Sequence, residues 1–164
     1  MHGGKNVKFK QFQFLKNEAI KNLTALEEEP LRLRNRTIEE CLSADAVMLA
    51  YIGDAVYSMY VRERVVQMNI TKVQVLHTIV TEFICAKSQA KVLLEIEDAF
   101  TEEEQAIARR ARNSNVNVPK SSTVQEYRSS TAFEAVLGFL YETRQEDRLQ
   151  HILRQAFSIT LRGM

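Results

Sequence analysis

The stretch Leu49-Ala-Tyr-Ile-Gly-Asp-Ala-Val56 decides the fold. Apolar and small residues run through it without strict alternation, so it reads as helix rather than strand. Ser43 or Asp45 upstream is a fair N-cap, and helical sequence continues to about Gln67. Val47, Ala50, Ile52, Ala55, Val56, Met59 and Tyr60 make this helix apolar over more than one face. Such a helix is buried on several sides or meets another subunit. Asp54 breaks the pattern. Glu134 does the same inside Ser130-Thr-Ala-Phe-Glu-Ala-Val-Leu-Gly-Phe-Leu-Tyr141. A carboxylate flanked in this way needs a partner, because an unpaired buried charge is expensive. The small neighbours Ala50, Gly53, Ala55 and Ala135 leave space for a cation or a second backbone.

Outward from this stretch the chain continues as helix. It has two prolines, five glycines and few alternating runs, so the expected fold class is all-α, a single helical domain. A helical region is predicted from about Lys72 to Glu95, interrupted near Glu82. Thr101 opens another helix, with Glu104 three residues on in capping-box spacing, and that helix ends in Arg109, Arg110 and Arg112. Asn113 to Thr123, rich in Asn and Ser and holding Pro119, is a loop. A helix over Val124 to Glu142 carries Glu134. A last one, near Gln145 to Leu161, places Leu149, Ile152, Leu153, Ala156 and Phe157 at core-facing spacing. This domain is expected over residues 41–164, after an extension over 1–40, helical or partly ordered. Within the extension, Pro30 is predicted to end a first helix that includes Ala19 to Leu26. Lys5, Lys8, Lys10 and Lys16 interleave there with Phe9, Phe12 and Phe14. Two readings stay open: a short RNA-contacting arm, or an extension whose phenylalanines dock on the core.

Bulk composition narrows the function classes. The chain has 164 residues, 45% hydrophobic and 26% charged, a globular balance with room for a sizeable core. Its formal net charge of +1 means that any nucleic-acid contact must come from local clustering. Cys41 and Cys85 lack metal-ligand spacing and are expected to be reduced packing residues. No apolar run is long enough for a bilayer, and the first residues lack signal-peptide or transit-peptide character. A cytoplasmic location with no membrane partner is the expectation.

Two acids on separate helices suit a divalent metal site and metal-assisted phosphodiester cleavage. Carboxylate and water ligands favour magnesium over zinc. The alternative for Asp54 is a structural pair with an Arg, Lys or Tyr. Arg112, Lys120 and Arg128 form one basic segment across the predicted loop. They are candidate phosphate contacts, since duplex RNA is read mainly through phosphates and 2′-hydroxyls. The alternative is a solvated helix end that suits the helix dipole. Lys87 and Gln89 are further candidates, against a plain helix turn, and His77 is expected to pack or cap.

At these residues a resemblance enters. Tyr51-Ile-Gly-Asp-Ala-Val56 resembles the signature helix of the ribonuclease III catalytic domain. Thr131-Ala-Phe-Glu-Ala135, with Gly138 and Tyr141, resembles its second acidic motif. The Mini-ribonuclease III subfamily is the nearer likeness. Its pattern includes Ala86-Lys-Ser-Gln-Ala90, Arg110-Ala-Arg-Asn113, Pro119-Lys120, Tyr127-Arg128 and Ser130 to Ala135 in this order. The likeness covers roughly residues 45–160. It implies an endonuclease that cleaves double-stranded RNA with Mg2+, Asp54 and Glu134 being metal ligands and catalytic. It also implies a substrate in the large-subunit (23S) ribosomal RNA precursor, and a homodimer whose two sites face opposite strands. Tyr51, Ile52 and Val56 are the expected dimer surface. Ribonuclease III carries four acids per site. Two of those positions hold Ala50 and Thr131 here, a reduction that Mini-ribonuclease III shares. With no room for a double-stranded RNA-binding domain before Met164, RNA is expected to be held by the catalytic domain. The alternative function is a non-catalytic RNA-binding or ribosome-associated protein of the same fold, which intact Asp54 and Glu134 argue against.

Overall fold

The computed structural model describes residues 3–28, 35–115 and 117–164. The chain divides into two units, residues 1–35 and 36–164. In the first, α1 runs from Gly3 to Glu28. Phe9, Phe12 and Phe14 are each more than half exposed on it. Pro30 lies outside the described residues.

The second unit is built only of helices among its described residues. They are α2 (Ile38–Ser43), α3 (Ala46–Val66), α4 (Val73–Ile84), α5 (Ala86–Ile96), α6 (Glu102–Arg112), α7 (Val124–Glu142) and α8 (Glu146–Arg162). A 3-10 turn, Glu97–Ala99, follows α5. The start signals are local and chemical. Asp45 caps α3 by accepting from the Val47 amide at 2.9 Å, whereas Ser43 belongs to the preceding short helix. Thr101 and Glu104 form the expected capping box on α6, and Thr123 with Glu126 forms another on α7. Each satisfies amides that a helix start leaves without partners. The predicted interruption near Glu82 lies at Cys85, whose extended backbone separates α4 from α5.

α7 is the central helix. From Ser130 to Leu140 every residue except Glu134 is buried. It packs against α3, α5, α6 and α8, most extensively against α3. A T-shaped contact between Tyr57 of α3 and Phe133 of α7, centroids 5.2 Å apart, lies between those two helices. Side chains would normally hold two helix axes about 8–10 Å apart. Here glycines let the backbones touch. A Cβ placed on Gly53 would lie 1.7 Å from the Glu134 carbonyl oxygen, and one on Gly138 would lie 1.9 Å from the Leu49 carbonyl oxygen. Away from this crossing, buried Glu104 is gripped by Arg148 through Nε at 2.8 Å and Nη2 at 2.9 Å. That pair ties α6 to α8. Cys41 is buried and Cys85 half-buried, both as free thiols.

Candidate active site

Asp54 directly follows Gly53, and Glu134 is the residue whose carbonyl packs onto Gly53. The backbone contact that joins α3 to α7 therefore also brings the two acids together. Both line one cavity of about 400 Å³, with Ala50, Tyr51 and Thr131 and the turn at Pro119 and Ser122. Their environments differ. Asp54 is exposed, so the expectation of a costly buried charge fails there: the cavity side of α3 faces solvent. Glu134 is half-buried. Burial, and then the neighbouring Asp54 carboxylate, push Glu134 up to about 8, against the smaller opposing pull of the Gln89 amide.

The reduction from four acids to two is visible in the cavity wall. Ala50 is buried, and the Thr131 hydroxyl turns away to donate to the Tyr127 carbonyl at 2.9 Å. Ser130 donates to that same carbonyl at 2.8 Å. Among the described residues no cluster of three or more His, Cys, Asp or Glu exists that could hold a metal. What remains is a pair of hard oxygen donors beside open space. This set fits a hydrated hard cation that keeps most of its waters, and not zinc in a closed site.

The basic candidates divide between two places. Lys87, Arg112 and Arg128 line a separate groove of about 1100 Å³, together with Glu82, Glu97 and Glu126. Arg112 is already engaged there, its Nη2 lying 2.6 Å from Glu97 Oε2. Lys120 lines neither; it is exposed in the turn whose Pro119 and Ser122 line the acid cavity. Arg110 serves the fold. Its guanidinium donates to the Leu42 and Ala44 carbonyls and closes the end of α2. Gln89 is fully buried, which removes it as a phosphate contact. His77 is exposed in mid-helix and neither packs nor caps, contrary to expectation.

Tyr51 is 80% exposed, and Met48, Ala55 and Met59 continue an exposed stripe along the same helix. Ile52 is half-buried, and Val56 packs partly against the core of its own chain. Sequence reasoning misses the Glu104–Arg148 and Arg112–Glu97 pairs and the full burial of Gln89. A signal for Gln89 is present, since it stands in register with buried Val92, Leu93 and Ile96 on α5.

A model of the Ribonuclease III domain matches residues 47–145, which hold both acids and the helices that carry them. The chain belongs to the ribonuclease III family. It is 42% identical over 124 residues to the Mini-ribonuclease 3 of a Thermoanaerobacter species, covering 75% of this chain and 87% of that protein. It is 39% identical to the Mini-ribonuclease 3 of Symbiobacterium thermophilum, covering 74% and 95% respectively. The crystal structure of a Fusobacterium nucleatum protein superposes with a TM-score of 0.66 at 28% identity, covering 71% of this chain and 93% of that one. These relatives assign the chain to the Mini-ribonuclease III branch, with the helical fold and the endoribonuclease activity type of the family. No helix among the described residues is long and apolar enough to cross a membrane.

Proposed function

We propose that this chain is a Mg2+-dependent endoribonuclease that cleaves double-stranded RNA, with the large-subunit ribosomal RNA precursor as its substrate in the cytoplasm. One observation carries the reading. Asp54 and Glu134, from distant parts of the chain, meet in one solvent-open cavity fixed by a backbone-to-backbone helix crossing. Asp54 and Glu134 are the residues that would hold the cation. When bound, a divalent ion there supplies charge neutralisation on the phosphate and lowers the pKa of a water.

The protein's own contribution is placement. Gly53 and Gly138 fix the separation of α3 and α7, so the acids need no rearrangement when substrate arrives. Thr131 and Ser130 keep their hydroxyl protons on the Tyr127 carbonyl and offer none to the acids. Lys120, in the turn whose Pro119 and Ser122 line the cavity, is suited to a phosphate near the cut. Lys87, Arg112 and Arg128 in the larger groove are suited to phosphates farther along the duplex, with Arg112 exchanging Glu97 for RNA. Two sites are needed to cut both strands, which a two-fold homodimer provides. The exposed Tyr51 stripe is the apolar surface for it, with Ile52 and Val56 beneath. The reading is tested by incubating long double-stranded RNA with the protein in Mg2+ and in EDTA. Cleavage only with Mg2+ supports it. Cleavage in EDTA, or none with Mg2+, overturns it.

A further inference from the structure

Residues 1–17 hold four lysines, Lys5, Lys8, Lys10 and Lys16, and no acid. The whole chain has a formal net charge of +1, so residues 18–164 carry a net −3. A protein of the ribonuclease III family acts on a polyanion, yet this chain concentrates its positive charge on α1, outside the residues 47–145 that match the family. α1 also carries aromatic rings. Lys8, Phe9, Lys10, Phe12, Phe14 and Lys16 are all exposed. A helix turns about 100° per residue, which sets Phe12 between Lys8 and Lys16 on one side and Phe14 beside Lys10 on the other. Rings and cations therefore mix around the whole helix.

This mixture decides what covers the helix. A helix that lies on a membrane keeps its apolar and basic residues on separate faces. Here Phe9 and Phe12 lie opposite Val7 and Phe14, with lysines beside both pairs. A coiled coil with a second copy would continue the Phe9–Phe12 seam through Lys16 and bury a cation without a partner. RNA accepts both groups at once: phosphates take the lysines and bases stack on the rings. Bases paired in an A-form duplex are out of reach in its deep, narrow major groove, so the rings require unpaired bases. We propose that α1 is an RNA-binding arm for unpaired nucleotides next to the duplex that the catalytic unit cuts, with Lys8, Lys10 and Lys16 on phosphates and Phe9, Phe12 and Phe14 stacked on bases. This rests on the duplex-cleavage reading above and adds a second RNA site to it, since no residue of α1 lines the acid cavity or the larger groove.

The test is fluorescence anisotropy with the full chain in EDTA, on a blunt RNA duplex and on the same duplex with a single-stranded extension. Wild type should bind the extended duplex more tightly. In one variant Phe9→Leu, Phe12→Leu and Phe14→Leu are combined. Leucine keeps an apolar helix surface, so docking on a protein, a membrane or a second copy persists while stacking is lost. Affinity for the extended duplex should fall about tenfold or more. Binding of the blunt duplex, and its cleavage in Mg2+, should stay within twofold of wild type. In a second variant Lys8→Gln, Lys10→Gln and Lys16→Gln are combined. Its salt dependence on the extended duplex should flatten by about two units of slope, since each phosphate contact on a single strand contributes about 0.7. All six positions are exposed, so both variants should keep the wild-type circular dichroism. A leucine variant that binds the extended duplex within twofold of wild type overturns the proposal, as does one that loses blunt and extended duplex alike. A wild-type protein that binds neither RNA removes the duplex reading as well, whereas failure of the arm alone leaves blunt-duplex binding and cleavage in place.

Discussion

Gly53 and Gly138 face each other where α3 crosses α7, and a Cβ on them would fall 1.7 and 1.9 Å from the other helix's backbone. This contact sets the spacing of the two acids, since Asp54 follows one glycine and Glu134 lies a turn before the other. Gly53→Ala and Gly138→Ala should each force the helices apart. The obstacle is backbone in both cases, not the end of a flexible side chain, so little local relaxation is available. We expect a loss of more than about 4 kcal/mol, the range reserved for severe core defects. Chemical denaturation monitored by circular dichroism measures it. A loss under about 1 kcal/mol, the centre of the range for ordinary substitutions, would mean that the crossing is not so tight.

Asp54→Asn and Glu134→Gln should abolish cleavage of double-stranded RNA in Mg2+ while leaving the fold and the assembly state unchanged. Each removes a charge proposed to hold the cation and keeps the side-chain shape. Near wild-type cleavage rates in either variant would remove that residue from the metal site.

Helices are legible in the sequence wherever the deciding chemistry is local. Asp45, the Thr101–Glu104 box and the Asn-rich loop before Val124 each act within a few residues. The short α2 is not legible, because six residues show no period even with Thr37 and Glu40 as a capping box. The break at Cys85 carries neither Gly nor Pro. It is held by side chains that replace helix bonds, with Ser88 Oγ donating to the Glu82 carbonyl at 2.6 Å and Gln89 to that of Ile84. The acids stand out as anomalies in apolar helices. The partners of Arg112 and Glu104 do not, since those pairs join residues 15 and 44 apart in the chain.

Glu134 gives the metal-free protein a distinctive pH dependence. Its folded-state pKa of about 8 lies above the ordinary value of 4.5, chiefly through burial and then through Asp54. Between those values the folded protein holds a proton that the unfolded chain has released. This contribution to stability is complete below about pH 4.5 and is lost as pH rises through about 8. In EDTA, Tm should therefore fall between about pH 5 and about pH 8 more steeply for wild type than for Glu134→Gln. Mn2+ affinity should rise over the same interval, because binding must displace the proton. Equal pH slopes in wild type and variant would assign the dependence to another group.

Two arginine pairs in the same fold should respond differently when the arginine is removed. Arg148→Met strips buried Glu104 of its counterion and leaves it the Thr101 amide. A buried charge deprived of its partner costs about 3–5 kcal/mol. Arg112→Ala breaks a half-exposed pair with Glu97 and should cost less than about 1 kcal/mol. Urea denaturation of both variants separates them. Equal losses would show that the two pairs are not distinguished by burial as the structure has them.

Lys120 and Arg112 stand in different places, one in the turn whose Pro119 and Ser122 line the acid cavity and one in the larger groove. Both are proposed to meet RNA phosphates and neither to take part in the chemistry. Replacing both with Ala should weaken binding to duplex RNA and flatten its dependence on salt, since each lost phosphate contact removes roughly one unit of slope. The Arg112 part is expected to be the smaller, because that guanidinium must first leave Glu97, so its loss also removes a cost of binding. Cleavage at saturating RNA should change little. Binding of the Glu134→Gln protein, expected to be catalytically silent, with and without the two further substitutions, gives the slope without interference from cutting. An unchanged slope combined with a collapse in the saturated cleavage rate would move these residues from binding into the chemistry.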